Sequence, residues 1–308
     1  MPTSLLLSAD PNINDDKLKI RGYWLASGIL GVAASTMIRV VNSGADAVVT
    51  KSIGLKPRKG NSGPVLTESH GGLLNAVGLT NPGIDAFENE MKLLRKANIP
   101  VVMSIFGDTP QEIADIAEKA ARMKPSAIEL NLSCPHAEIS QISHSPKLTF
   151  DYVSAAKQVV DIPVFAKLTP NASDYVSVGR AAQDAGADAI VAINTVRAMR
   201  IDIRQQRPIL GNMIGGLSGP SIFPIAVRCV YDLFGALSVP IIGVGGISTW
   251  EDAVEMHLAG ASAIQIGTAV MNDIEVFSKV KSGVSRYIEQ LGLNSVDDII
   301  GAARRSET

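Results

Sequence analysis

Apolar residues in this chain fall into short, nearly continuous runs separated by longer amphipathic stretches. Three of the runs share one plan: SGADAVVTKS (43–52), AGADAIVAINT (185–195) and AGASAIQIGTA (259–269) each place a small residue and Gly before an apolar, β-rich segment. A glycine there can end a helix, so each phrase reads as a helix stop followed by a strand. A second set, IPVVMSIFG from 99, IPVFAKLTP from 162 and VPIIGVGGI from 239, opens with Pro at a strand entry. The two sets alternate along the chain. With WLASG (24–28) and SAIELNLSCP (126–135) they give eight strands, apolar enough throughout to be covered on both faces as parallel strands are.

Segments of helical length lie between the strands. PGIDAFENEMKLLRKAN, TPQEIADIAEKAARMK, LTFDYVSAAKQVVD, NASDYVSVGRAAQDAG and STWEDAVEMHLAG each pair a Pro or capping residue with apolar positions at a 3.6-residue period. Eight βα units predict an α/β fold, a (β/α)8 TIM barrel formed as a single domain over residues 1–308; a doubly wound sheet is the alternative. Excursions are expected after strands 2, 4 and 6 on the C-terminal face. Those after strands 2 and 6, at 54–82 and 196–221, are too long for tight βα loops.

Composition narrows the partners. A chain of 308 residues that is 46% hydrophobic can bury a large core, and 28 basic against 30 acidic side chains leave a formal net charge of −2. No basic run offers a footprint for nucleic acid or an anionic membrane, so small molecules and proteins are the expected partners. Two cysteines, Cys134 and Cys229, build no disulfide framework, and the opening MPTSLLLSADPN reads as neither a signal peptide nor a spanning helix. A soluble, cytoplasmic protein is expected.

Several polar residues stand where strands should end: Lys51 and Ser52, Asn131 and Cys134, Lys167, Asn194 and Thr195. In a barrel such ends converge on one pocket. Lys167 lies inside the apolar run PVFAKLTP, where a charge needs a partner, and Lys51 in AVVTKS invites the same argument. The glycine pair Gly245 and Gly246 and the pair Gly267 and Thr268 end the last two strands, where barrels often bind phosphate on backbone N–H groups. Three readings stay open for Cys134. It is an inert core residue, a metal ligand with His136 and His144 at a spacing that matches no standard zinc pattern, or a catalytic thiol at a strand end. Cys229, in IAVRCVYDLF, reads as core, and His70 and His257 suggest no role.

Taken together, TKS (50–52), PRKGN (57–61), LLNAVGLTNPG (73–83), ELNLSCP (129–135), AKLTPN (166–171), INT (193–195), RPILGNMIGGLSGP (207–220), GVGGI and QIGTA resemble the class 1 dihydroorotate dehydrogenases, most closely the class 1B catalytic subunit. The resemblance runs over nearly the whole chain. It implies an FMN enzyme of pyrimidine biosynthesis that oxidises (S)-dihydroorotate to orotate, with Cys134 as the base at C5 and hydride passing from C6 to flavin N5. Substrate contacts would come from Lys51, Asn75, Ala76, Val77, Gly78, Leu79, Asn131, Asn194 and Thr195. The cofactor would lie against Ser27, Lys51, Ser52, Asn131, Lys167, Ile193, Gly219, Gly245, Gly246, Gly267 and Thr268. No metal site is implied. The same resemblance implies a partner subunit carrying FAD and a 2Fe-2S cluster that passes electrons to NAD, around a homodimer core of a heterotetramer.

The chain departs from the family pattern in places. His136 stands where Asn is usual, Ser104 where many class 1B members have Asn, and Arg197 and Ala198 where a small or apolar residue and Gly are common; AEISQISHSPKL lacks glycine. Other activities share parts of this pattern. They are a related FMN barrel oxidoreductase acting on another pyrimidine, as in dihydropyrimidine dehydrogenase, a Schiff-base aldolase using Lys167, and a silent barrel that only docks.

Overall fold

Eight of the apolar runs become strands that hydrogen-bond in chain order and close on themselves. In the computed structural model, which describes residues 7–9, 18–132 and 145–305, the barrel strands are β1 (Tyr23–Leu25), β2 (Ala47–Val49), β3 (Val101–Ile105), β4 (Ala127–Asn131), β5 (Val164–Leu168), β6 (Ala189–Ala192), β7 (Ile241–Val244) and β8 (Ala261–Ile266). Each is parallel to its neighbour, and β8 returns to β1. This is the expected (β/α)8 barrel, and the doubly wound alternative, an open sheet, is ruled out.

Eight helices surround it: α1 (Ala34–Asn42), α2 (Ile84–Lys96), α3 (Pro110–Arg122), α4 (Pro146–Lys157), α5 (Tyr175–Asp184), α6 (Phe223–Ala236), α7 (Trp250–Ala259) and α8 (Val276–Gln290). The starting signals in TPQEI, NASDY and STWED are used as read, whereas α4 starts earlier, after its cap Ser145, than the stretch LTFDYVSAAKQVVD suggests. Thr109, Ser145 and Asp174 each accept a backbone N–H of the first turn of α3, α4 and α5, and Thr249 with Asp252 closes a capping box on α7. Apolar helix faces cover outward-facing strand residues, with Met37, Phe87, Ile116, Val153, Leu233 and Phe277 wholly buried there. Alternate strand residues point inward and form a second core, in which Trp24 stacks on Phe165 with ring centroids 6.3 Å apart.

The excursions after β2 and β6 are one structure. Leu66–Ser69 pairs with Gly72–Asn75, which pairs with Gly215–Ser218, which pairs with Val196–Ala198, giving a four-stranded antiparallel sheet over the C-terminal face. A two-stranded hairpin, Ile201–Asp202 with Arg207–Pro208, projects from it. The backbone at Arg197 and Ala198, where the chain departs from the family pattern, is ordinary strand paired with Gly216 and Gly215. Most of the excursion after β4, with Cys134, His136 and His144, lies outside the described residues. No helix among the described residues is long and apolar enough to cross a membrane.

Candidate active site

Polar side chains from five strand ends join in a belt across the barrel mouth. Ser52, just past β2, is its hub: its Oγ lies 3.4 Å from Ser27 Oγ and 3.0 Å from Ser104 Oγ, and it accepts Asn131 Nδ2 at 3.0 Å. Asn194 Nδ2 donates to Asn131 Oδ1 at 3.3 Å, and the Asn194 side chain in turn accepts the Thr195 N–H at 2.8 Å. Five residues singled out in the sequence, Ser27, Ser52, Asn131, Asn194 and Thr195, are therefore linked through hydrogen bonds. Ser104, at the departing position, is wholly buried and completes the contact with Ser52.

Two lysines enter the same space. Lys167, on β5, is 5% exposed; its Nζ lies 3.3 Å from Gln265 Oε1 and 3.4 Å from Glu129 Oε1. The charge inside PVFAKLTP thus has its partner, and that partner is Glu129. Lys51 is held by its backbone, whose N–H donates to Gly31 O at 2.8 Å; a Cβ on Gly31 would come within 2.6 Å of Lys51 N, so the close approach requires glycine. Among the described residues its ammonium finds no acceptor. Burial, and then repulsion from the Lys167 ammonium, pull its pKa below the ordinary lysine value. Two cations against one carboxylate leave the mouth with excess positive charge, which suits an anionic ligand.

The glycine pair after β7 faces the start of α6. Gly245 and Gly246 have φ of 133° and 77°, and a Cβ on Gly246 would stand 2.8 Å from Phe223 N. Gly219, at φ 97°, precedes the short turn that leads into α6. Across from it, Thr268 Oγ1 donates to Ser218 Oγ at 2.8 Å, tying the end of β8 to the antiparallel sheet. Gly267 immediately precedes that threonine and has room around it, since a Cβ there would meet nothing nearer than Ala26 Cβ at 3.5 Å. Ile193 is buried, and its N–H donates to Val244 O at 2.7 Å.

The segment 75–79 starts at the end of the strand Gly72–Asn75 and is held by the antiparallel sheet and Asn61 rather than by the belt's hydrogen bonds. Asn75 Nδ2 donates to Gly216 O at 3.1 Å, Asn61 Nδ2 donates to Ala76 O at 3.0 Å, and the Val77 carbonyl accepts Asn61 N–H at 3.1 Å. Gly78 and Leu79 both turn through positive φ, at 78° and 56°. Cys134 lies outside the described residues, so the choice among its three readings is not made by this geometry. Cys229 is buried, as expected of a core residue, and burial pushes its thiol up to about 11.

Three residues of the site were missed in the sequence. Glu129 and Gln265 are both 0% exposed and joined by Gln265 Nε2 to Glu129 Oε2 at 2.7 Å. The signal was available, since each interrupts an apolar strand in the same way as Lys167. Asn171, in the motif AKLTPN, donates to Thr195 O at 3.1 Å and accepts the Arg197 N–H at 2.9 Å, fixing where the chain leaves the belt for the sheet. No group of three or more His, Cys, Asp or Glu among the described residues could hold a metal ion.

Comparison with known proteins agrees with this architecture. The family model described as dihydroorotate dehydrogenase matches residues 20–288. The chain is 51% identical over 282 residues to the "Dihydroorotate dehydrogenase B (NAD(+)), catalytic subunit" of Pyrococcus abyssi, covering 91% of this chain and 94% of that protein. It is 47% identical over 281 residues to the protein of the same name from Methanosarcina acetivorans, covering 90% of each. A crystal structure of DHODH from Eimeria tenella in complex with ferulenol superposes with a TM-score of 0.81 at 20% identity, covering 98% of this chain and 93% of that one, a likeness of fold. With a family model spanning most of its length and relatives at about half identity, the chain belongs to the dihydroorotate dehydrogenase family.

Proposed function

We propose that this chain is the catalytic subunit of a class 1B dihydroorotate dehydrogenase, oxidising (S)-dihydroorotate to orotate in the cytoplasm with FMN as its resident cofactor. The observation that carries the reading is the polar belt from Ser27 to Thr195 beside two lysines at the mouth of a barrel. FMN, when bound, supplies the acceptor for the hydride leaving C6.

The residues present fit that cofactor. Its phosphate is anionic and suits backbone N–H groups around Gly219, Gly245, Gly246, Gly267 and Thr268. Lys167 is a buried cation with hydrogen-bonding capacity beyond the bond it makes to Gln265, and would hold the polar edge of the ring. Ser27, Ser52, Asn131 and Ile193 would line the rest. Lys51 would meet the substrate carboxylate, and an anion beside it would draw its pKa back up. Asn75, Asn131, Asn194 and Thr195 supply the amide and hydroxyl groups that a planar ring rich in donors and acceptors requires, with the 76–79 backbone beside them. Cys134 would take the C5 proton, the role assigned by the motif ELNLSCP.

The relatives' name, a catalytic subunit using NAD(+), supports a second subunit as electron carrier. In this reading that subunit bears FAD and a 2Fe-2S cluster and joins a homodimer of this chain in a heterotetramer. Lys167, held against Glu129 and Gln265, is better suited to serve as a fixed cation than as a Schiff-base nucleophile.

The test is anaerobic. Protein loaded with FMN should lose its visible flavin band on addition of dihydroorotate and show a far smaller response to dihydrouracil. Protein that takes up no FMN, or whose flavin stays oxidised with dihydroorotate, contradicts the proposal; a preference for dihydrouracil would favour the related pyrimidine oxidoreductases. Cys134→Ala should keep the flavin and slow its reduction about 100-fold or more.

A further inference from the structure

A fully buried carboxylate with an unmet acceptor stands below the barrel mouth, and the proposed reaction gives it no task. Glu129 comes from β4, Lys167 from the neighbouring β5 and Gln265 from β8 on the other side of the barrel. Gln265 Nε2 donates to Glu129 Oε2 at 2.7 Å, and Gln265 Oε1 accepts from Lys167 Nζ at 3.3 Å. The ion pair between Lys167 Nζ and Glu129 Oε1 spans 3.4 Å, and that Oε1 accepts no hydrogen bond among the described residues. All three side chains are buried.

Packing does not account for this arrangement. Burying both charges has a desolvation cost that a loose pair recovers poorly, and apolar side chains of like volume would fill the space at least as well. The amide is also fixed in one orientation: turned over, it would set its NH2 donors against the ammonium and its oxygen against the carboxylate. Gln265 therefore couples a negative group to a positive one across the barrel, directly below the belt.

We propose that Glu129 and Gln265 are positioning residues that aim the Lys167 ammonium at the bound flavin and partly offset its charge, and thereby hold the flavin's reduction potential below the value a bare lysine would give. The inference rests on the FMN reading above. Reduction adds negative charge to the ring, so positive charge nearby favours the reduced form and negative charge the oxidised form.

The experiment measures the reduction potential of FMN in the wild-type protein, in Glu129→Gln and in Gln265→Glu, by anaerobic spectroelectrochemical titration. Both substitutions are nearly isosteric; Glu129→Gln removes one negative charge, whereas in Gln265→Glu the new carboxyl lies against buried Glu129, shares one proton with it and leaves the net charge as in the wild type. At a fixed applied potential Glu129→Gln should shift the flavin about tenfold toward the reduced form, the scale of one charge acting through a protein interior, while Gln265→Glu should stay near the wild type. Tenfold corresponds to about 30 mV for a two-electron couple. A purely structural role would weaken folding or flavin retention in both variants without moving the potentials apart. Glu129→Gln that keeps its flavin and shifts toward the reduced form supports the inference. Glu129→Gln that keeps its flavin and matches the wild type or shifts the other way overturns it, and so does loss of flavin from both variants. Wild-type protein that binds no FMN defeats the functional reading instead, and is seen before either variant is made.

Discussion

The same eight strands build two unlike tiers inside the barrel. Lower in the interior the inward residues are Trp24, Ala47, Ala127, Phe165, Ala189 and Ala263, a dry core in which two large rings stack and small residues make room for them. One pleat higher stand Ser104, Glu129, Lys167 and Gln265, equally buried but polar and charged. Phe165 and Lys167 share a strand and differ by two positions. Burial alone therefore does not separate scaffold from site; what separates them is whether the buried group brings a polar demand that packing does not create.

The largest expected effect lies in the lower tier. Trp24→Ala removes a side chain that is 1% exposed and leaves Phe165 without its stacking partner, and should destabilise the fold by about 3–5 kcal/mol. Chemical denaturation measures this loss, and a loss under about 1 kcal/mol would show that the lower tier is not the core. In the upper tier a substitution should cost both stability and chemistry. Lys167→Met leaves the buried Glu129 carboxylate without its cation, so the fold should lose about 3 kcal/mol. Flavin reduction should slow about 100-fold to 1000-fold, the scale of one lost electrostatic contact.

A third prediction concerns a buried polar group outside both tiers. His257, on α7, holds Ala261 O at 2.7 Å through Nδ1 and Tyr23 OH at 3.2 Å through Nε2, and burial pulls its pKa from 6.5 down to about 4. Between those values the unfolded chain takes up a proton that the folded chain refuses, so its contribution is full above pH 6.5 and is lost as the pH falls toward 4. The loss amounts to about 3 kcal/mol. Denaturation at a series of pH values should show this slope in the wild type and a flatter one in His257→Gln; equal slopes would mean that the ring is not held neutral.

The smallest effect should come from Ser104→Ala, which takes one hydroxyl from the Ser52 hub. Stability should change by about 1 kcal/mol and FMN affinity by a few-fold, read from flavin fluorescence during titration. A change as large as that from Lys167→Met would mean that the belt, rather than the lysine, dominates binding.

The strands and the five helices singled out in the sequence were legible because each carries its own local signal, such as a helix-stop glycine, an entry proline, a capping residue or a continuous apolar run; α1 and α8, which start without a side-chain cap, were not singled out. The antiparallel sheet over the mouth was not. Asn75 pairs with Gly216, 141 positions away, in strands of four residues that are rich in glycine and show no alternation of their own, so no local pattern announces the partner. Lys167 could be read as a site residue since a charge in an apolar strand is conspicuous. Glu129 and Gln265 carry the same mark, but their importance depends on meeting each other and Lys167 across the barrel, which needs the closed register. Asn171 acts through the chain's path at Thr195 and Arg197, which only the folded backbone defines.

The measurement closest to the central claim is the anaerobic rate of flavin reduction by dihydroorotate at saturating FMN, compared between Lys167→Met and Trp24→Phe under conditions where both are folded. The account predicts that Trp24→Phe, altered only in the lower tier, reduces its flavin within a few-fold of the wild-type rate, while Lys167→Met is slower by about 100-fold or more. Equal rates in the two variants would contradict the division of the barrel interior into a scaffold tier and a chemical one.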